Sequence, residues 1–166
     1  MSKNVLFVTY GGGHATMVLP VIRELEGDND IHIHILALTL AGPYFKRHNL
    51  PTMGFKDFLL PDDTDAQAWG KKLAAHSHSA ETGIEEAETI AYLGLSYCDL
   101  ITRHGETEAA RLWAENGRGA FLPLSVMERV IDRIKPDIVV TTNTPRAEHA
   151  AVVIANRRGI PTLSMY

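Results

Sequence analysis

The sequence predicts an α/β fold: a three-layer Rossmann-like domain with a mostly parallel sheet and a helical insertion in its middle. Three observations carry that expectation. An apolar, β-leaning run over residues 4–10 meets Gly11-Gly12-Gly13 and then a helical pattern, which reads as strand, tight turn and helix. Residues 138–142 (Ile-Val-Val-Thr-Thr) form a β-branched run of the kind buried on both faces of a parallel sheet. Strand and helix signals alternate on either side of a middle region with little β character.

The elements follow in order. Residues 15–25 form the first helix, and Pro20 lies deep enough in it that a late start or a kink is expected. Gly27-Asp28-Asn29-Asp30 is a turn cluster. Residues 31–38 alternate and then become continuously apolar, as a strand entering a buried position does. A short helix is expected over 40–48, then a third strand around 52–55, weakened by Pro51 and Gly54. Pro61-Asp62-Asp63-Thr64 is a helix entry, with Asp63 or Thr64 as N-cap.

From residue 66 to 116, periodic apolar positions (Ile84, Ala87, Ala91, Leu95, Leu100, Ile101) predict one or two helices around a loop at 76–83. A further helix spans 106–115. Residues 62–118 are thus a helical insertion, of the kind that shapes a cleft or a lid. Residues 119–124 are a buried connector or an exposed apolar lip. An amphipathic helix over 125–134 presents Val126, Val130, Ile131 and Ile134 on one face and stops at Lys135-Pro136-Asp137. After the 138–142 strand come a turn at 143–146, a helix over 147–158 rich in small residues, and Gly159 as its stop. Residues 160–166 begin another strand. An ending on a central strand is unusual, so residues 1–166 are expected to be one domain cut from a longer protein.

Composition narrows the class. At 166 residues, 45% hydrophobic and 22% charged, the chain suits one globular domain with its own core. A net charge of −4 with no basic block argues against a nucleic-acid surface. One cysteine, no signal peptide before the first strand and no apolar run of roughly 20 residues point to a cytoplasmic protein, with contact at the inner membrane face left open.

Two loops, 10–16 and 142–148, fall at C-terminal strand ends, the edge where open parallel sheets bind ligands. If those strands are neighbours, His14, Asn143, Thr144, Arg146 and His149 share one cleft. Gly11, Gly12, Gly13, Thr16, Asn143, Thr144 and Arg146 are the candidate substrate-binding positions. A plainer reading gives the glycines only a tight turn and close helix–sheet packing, and gives Asn143 a helix cap with Pro145 in the first turn. Arg146 is either a solvated cation or a partner for phosphate or carboxylate. The dinucleotide fingerprint is missing: its sixth position is Thr16, and the 31–39 strand ends without an acid for a ribose hydroxyl. Neither a Gly-Lys-Ser/Thr phosphate loop nor a Gly-x-Ser-x-Gly elbow is present, so no cofactor is expected. His32 with His34 and His76 with His78 lack partners at metal-ligand spacing, and no metal is expected.

Gly11-Gly12-Gly13-His14 followed by Pro20 resembles the first loop of GT-B glycosyltransferases, which use nucleotide-sugars. The stretch from Lys135-Pro136-Asp137 through Ala150-Ala151 to Gly159-Ile160-Pro161 is similar to the same group, including the non-hydrolysing UDP-N-acetylglucosamine 2-epimerases. The likeness covers both ends of the chain and not its helical middle. It implies an acceptor-binding N-terminal half of an enzyme that moves a sugar from a nucleotide-sugar donor, held mainly by a second domain, to a hydroxyl acceptor that can be lipid-linked. In that family the histidine of the first loop can serve as base, and His14 matches it; imidazole is largely neutral at pH 7 and can take a proton as it is lost. The resemblance also asks for a carboxylate to orient His14. No Asp follows Thr141-Thr142-Asn143, and Glu148 is the candidate. The alternative for His14 is a structural role in a helix cap. The 166 residues alone are expected to be inactive. Two rivals stand beside the transferase: half of a UDP-sugar 2-epimerase, and a non-catalytic binding subunit of a split transferase.

Overall fold

Four parallel strands run in the order β2-β1-β3-β4, and the chain crosses from one side of β1 to the other midway. The structure, a computed structural model, describes residues 2–75, 82–142 and 146–165. Strand β1 (Lys3–Tyr10) is followed by helix α1 (Gly12–Leu25), strand β2 (Ile31–Leu38) and helix α2 (Ala41–Arg47). A 3₁₀ turn (Phe55–Phe58) leads into helices α3 (Thr64–Ala74), α4 (Glu86–His104) and α5 (Glu106–Asn116). A second 3₁₀ turn (Gly117–Ala120) precedes helix α6 (Leu124–Ile134), strand β3 (Ile138–Thr141), helix α7 (Ala147–Arg157) and strand β4 (Thr162–Ser164).

Alternation along the strands builds two cores. Val5 and Phe7 of β1, Ile35 and Ala37 of β2 and Val140 of β3 pack with Ala15, Val18 and Ile22 of α1 and with Ala41 and Phe45 of α2. Leu6, Val8, Leu36, Leu38 and Val139 point the other way, onto the layer formed by α3 to α7. Sheet strands covered on both faces make a three-layer, Rossmann-like α/β domain. The register of β1 against β3 (Val5↔Ile138, Leu6↔Val139, Phe7↔Val140) is pinned at its start by Asp137. Its backbone N–H donates to the Asn4 carbonyl at 2.8 Å, and its carboxylate accepts from the Asn4 N–H and the Lys3 ammonium, each at 2.8 Å.

Three expectations are corrected, and an alternative left open for residues 119–124 is decided. The third strand around 52–55 is absent: Met53 makes one isolated bridge to Leu36, and the chain then turns into the 3₁₀ turn. The next three amides are diverted to side chains, Gly54 N–H to Asp57 Oδ2 (2.8 Å), Phe55 N–H to Glu88 Oε1 (3.0 Å) and Lys56 N–H to Glu88 Oε2 (2.9 Å), so no ladder can continue. Helix α1 does not start late. It begins at Gly12 and runs through Pro20, whose exposed position leaves the unbonded Thr16 carbonyl open to solvent. Strand β4 lies at the edge of the described sheet rather than at its centre. The 119–124 segment is a connector and not a lip, since Phe121 is buried and stacked on Trp113 at 5.2 Å between ring centres. The predicted loop at 76–83 falls for its first six residues outside the described ones. Among the described residues no helix is long and apolar enough to cross a membrane.

Candidate functional site

The crossing of the chain puts the carboxyl ends of β1 and β3 side by side, with α1 leaving toward one face and α7 toward the other. A crevice at such a switch point is where open α/β sheets take their ligands. Tyr10 of the first predicted loop meets Thr142 and Glu148 of the second there.

Gly11 caps α1 with φ 88°, a conformation that favours glycine, and its N–H donates to the Leu38 carbonyl at 3.2 Å. Only Gly11 of the three has a positive φ, and a Cβ on any of Gly11, Gly12 or Gly13 would meet nothing within 4 Å. They are therefore not there for close helix–sheet packing, and what they leave is open space beside the backbone. The Thr16 hydroxyl donates back to the Gly12 carbonyl at 2.9 Å within α1. Asn143 and Thr144 lie outside the described residues, as does Pro145, so the predicted cap lies there too.

Glu148 organises the centre. It is completely buried in the first turn of α7, yet every contact it makes is with a donor. Its Oε1 accepts the Tyr10 N–H at 3.0 Å, and its Oε2 accepts the Thr142 N–H at 2.7 Å and the Thr142 hydroxyl at 2.8 Å. This one side chain stitches the ends of β1 and β3 together. His14 Nδ1 lies 3.0 Å from Glu148 Oε1 and within hydrogen-bond reach of the Thr142 hydroxyl oxygen. Because the Thr142 proton is committed to Glu148, Nδ1 is the donor, which assigns the neutral ring's lone pair to Nε2. The His14 side chain is 27% exposed and its Nε2 has no protein partner among the described residues. A buried carboxylate behind a part-exposed imidazole is the arrangement of an oriented proton acceptor.

The α4 side of the crevice is aromatic and basic. Tyr10, at the end of β1, stands 5.9 Å from Tyr92 of α4 between ring centres, and the Tyr92 hydroxyl donates to that of Tyr10 at 3.3 Å. Burial, before any charge, pushes the Tyr92 phenol well up from its ordinary value. Arg146, at the N-cap of α7 with φ 49°, lies over Tyr10; Arg118, from the second 3₁₀ turn, lies over Tyr92. Sequence reasoning named Arg146 and missed Tyr10, Tyr92, Arg118 and Thr142. The Gly117-Arg118-Gly119 spacing is the one local hint that Arg118 is held at a turn. His149 is exposed on α7.

Elsewhere, a recess of about 300 Å³ opens beyond the end of β2, lined among others by Thr39, Lys46, Gly54, Lys56 and Glu88, and no predicted site residue lines it. Burial raises the Glu88 carboxyl to about 7 despite its two amide donors. The His34 Nε2–H donates to Asn4 Oδ1 at 3.1 Å, and burial, then His32, lowers its pKa. Among the described residues no group of three or more His, Cys, Asp or Glu is placed to hold a metal ion. His76 and His78 fall outside them.

These features define an α/β domain with a switch-point crevice and a histidine–carboxylate pair at its floor. No known protein-family profile matches the chain, and no curated protein matches it in sequence. Its fold is similar to that of the UDP-GlcNAc 2-epimerase from Methanocaldococcus jannaschii, with 15% identity and a TM-score of 0.50 over 98% of this chain and 31% of that one. It is equally similar to the UDP-GlcNAc 2-epimerase from Neisseria meningitidis bound to UDP-GlcNAc, with 15% identity and a TM-score of 0.51 over the same shares. The chain thus spans 31% of the length of each of these proteins. At this identity the likeness establishes the architecture.

Proposed function

We propose that this chain is the acceptor-side half of a nucleotide-sugar-dependent glycosyltransferase, with His14 as the base that takes the proton from an acceptor hydroxyl. The observation that supports it most is the His14–Glu148 pair at the switch point, with Nε2 unpaired among the described residues and the Gly12 and Gly13 backbone open beside it. Glu148 and Thr142 hold the ring and its tautomer; a proton passing to Nε2 makes an imidazolium that the buried carboxylate stabilises. The donor's nucleotide is held mainly by a second domain, and the Gly11 to Gly13 loop, Thr16, Asn143, Thr144 and Arg146 frame the substrate. In the whole enzyme His14→Ala is expected to lower turnover at least about 100-fold with little change in donor affinity. Unchanged turnover would reduce His14 to a structural residue.

The fold neighbours favour a second reading, half of a UDP-sugar 2-epimerase, in which the same histidine serves proton transfer without an acceptor. Mass analysis of the product separates the two: an adduct of sugar and acceptor means transfer, and an isomer of the donor means epimerisation.

A further inference from the structure

The basic wall of the crevice is used by none of the proton chemistry above. Arg118 and Arg146 reach it from segments 28 residues apart, and the Arg146 Nε–H donates to the Arg118 carbonyl at 2.9 Å. The Arg146 guanidinium carbon lies 4.8 Å from the Tyr10 ring centre, and that of Arg118 lies 5.8 Å from the Tyr92 ring centre. Both arginines are half-buried. Arg23, Arg111, Arg129 and Arg158 each hold a carboxylate, whereas neither Arg118 nor Arg146 forms an ion pair among the described residues. Two like charges brought together partly out of water cost free energy unless an anion shares them. Stacking on tyrosine rings offsets some of that cost and fixes the guanidinium positions.

We infer that Arg118 and Arg146, seated on Tyr92 and Tyr10, form a clamp for a phosphate or diphosphate group of the substrate in the crevice beside His14. The inference rests on the nucleotide-sugar reading for its placement of a phosphate-bearing molecule there. A carboxylate is satisfied by one guanidinium fork; two forks from separate segments match a group with more oxygens and more charge. Tyr10 couples clamp and base, because its N–H donates to the Glu148 oxygen that also faces His14. The positive field of the pair extends to the Tyr92 hydroxyl, which both arginines pull downward against the larger effect of burial.

The test is titration of the 166-residue chain with inorganic pyrophosphate, read by the arginine Nε–Hε resonances in NMR and by calorimetry. The resonances of Arg118 and Arg146 are expected to move and saturate. Arg118→Gln and Arg146→Gln should each weaken binding at least about tenfold, while Arg157→Gln stays within about twofold. Arg118→Lys and Arg146→Lys, which keep the charge and lose the fork, should fall between, and circular dichroism confirms that each variant is folded. Resonances that do not move, or Gln variants that bind within twofold of the wild type, would overturn the clamp. UDP binding at least tenfold tighter than pyrophosphate assigns the donor's diphosphate as the occupant, and equal binding assigns a phosphate on the acceptor. A chain that binds pyrophosphate through these arginines, in a whole protein that turns over no nucleotide-sugar, keeps the clamp and loses the reading beneath it.

Discussion

Two buried glutamates of opposite character show how far one side chain's surroundings decide what it does. Glu148 is ringed by donors on both oxygens, so Glu148→Gln must turn an amide NH₂ toward the N–H of Tyr10 or of Thr142. Leaving one buried N–H unpaired costs about 1–3 kcal/mol. Glu148→Gln is therefore expected to lower the unfolding free energy by that amount in urea titration and, under the proposed reading, to cut turnover in the whole protein by freeing the His14 tautomer. A variant as stable as the wild type would show that the ends of β1 and β3 do not depend on this carboxylate. Glu88 has fewer donors for its burial, and its carboxyl rises from 4.5 to about 7. The folded state then favours the protonated form. Its contribution is complete below pH 4.5 and is lost as the pH climbs through about 7. Relative to Glu88→Gln, the wild type is expected to lose roughly 3 kcal/mol of unfolding free energy across that window. Parallel pH profiles for the two proteins would mean that the Phe55 and Lys56 amides already hold Glu88 ionised.

Helix α4 docks on α3 through two glycines, a use of glycine that the sequence pattern does not announce. A Cβ on Gly94 would sit 1.8 Å from the Ala66 carbonyl oxygen, and one on Gly70 would sit 2.2 Å from that of Ile90. Both obstacles are backbone, so the helices must separate. Gly94→Ala is expected to destabilise the chain by about 2–3 kcal/mol in urea titration, against the gain in helix propensity that alanine brings to an exposed site. A neutral Gly94→Ala would mean that the two helices slide freely. The bounds of α5 and α6 were nonetheless legible to within a residue or so, because apolar period and the Asn116-Gly117 and Lys135-Pro136 stops are local. The false strand at 52–55 marks the limit of such reasoning. Its fate was decided by Glu88, more than thirty residues on, which takes the amide protons of Phe55 and Lys56 at its end. The site divides the same way. His14 and Arg146 follow from strand ends and glycines, whereas Tyr92 and Arg118 reach the crevice only through the packing of the helical excursion.

At the scale of the whole molecule, the strand order is what turns two distant loops into one crevice. Nothing local to residues 4–10 or 138–142 says that they pair; the switch in direction at β1 does, and it brings Thr142 and Glu148 to His14. One wall of a crevice thereby gathers His14, the Glu148 carboxylate behind it and the Arg118–Arg146 side. Under the proposed reading the nucleotide is gripped from the other side, by a domain that these 166 residues do not include. The division of labour has a direct consequence. Incubated with UDP-GlcNAc, alone or with an alcohol acceptor, the 166-residue chain is expected to return the nucleotide-sugar unchanged, while still shifting the Arg118 and Arg146 resonances with pyrophosphate. Mass spectrometry and NMR read both halves of that outcome on one sample. Formation of an adduct or an isomer by the chain alone would place the whole catalytic apparatus on this one domain and overturn the two-domain reading. Turnover appearing only when the remainder of the protein is supplied would tie it to closure of the crevice over His14.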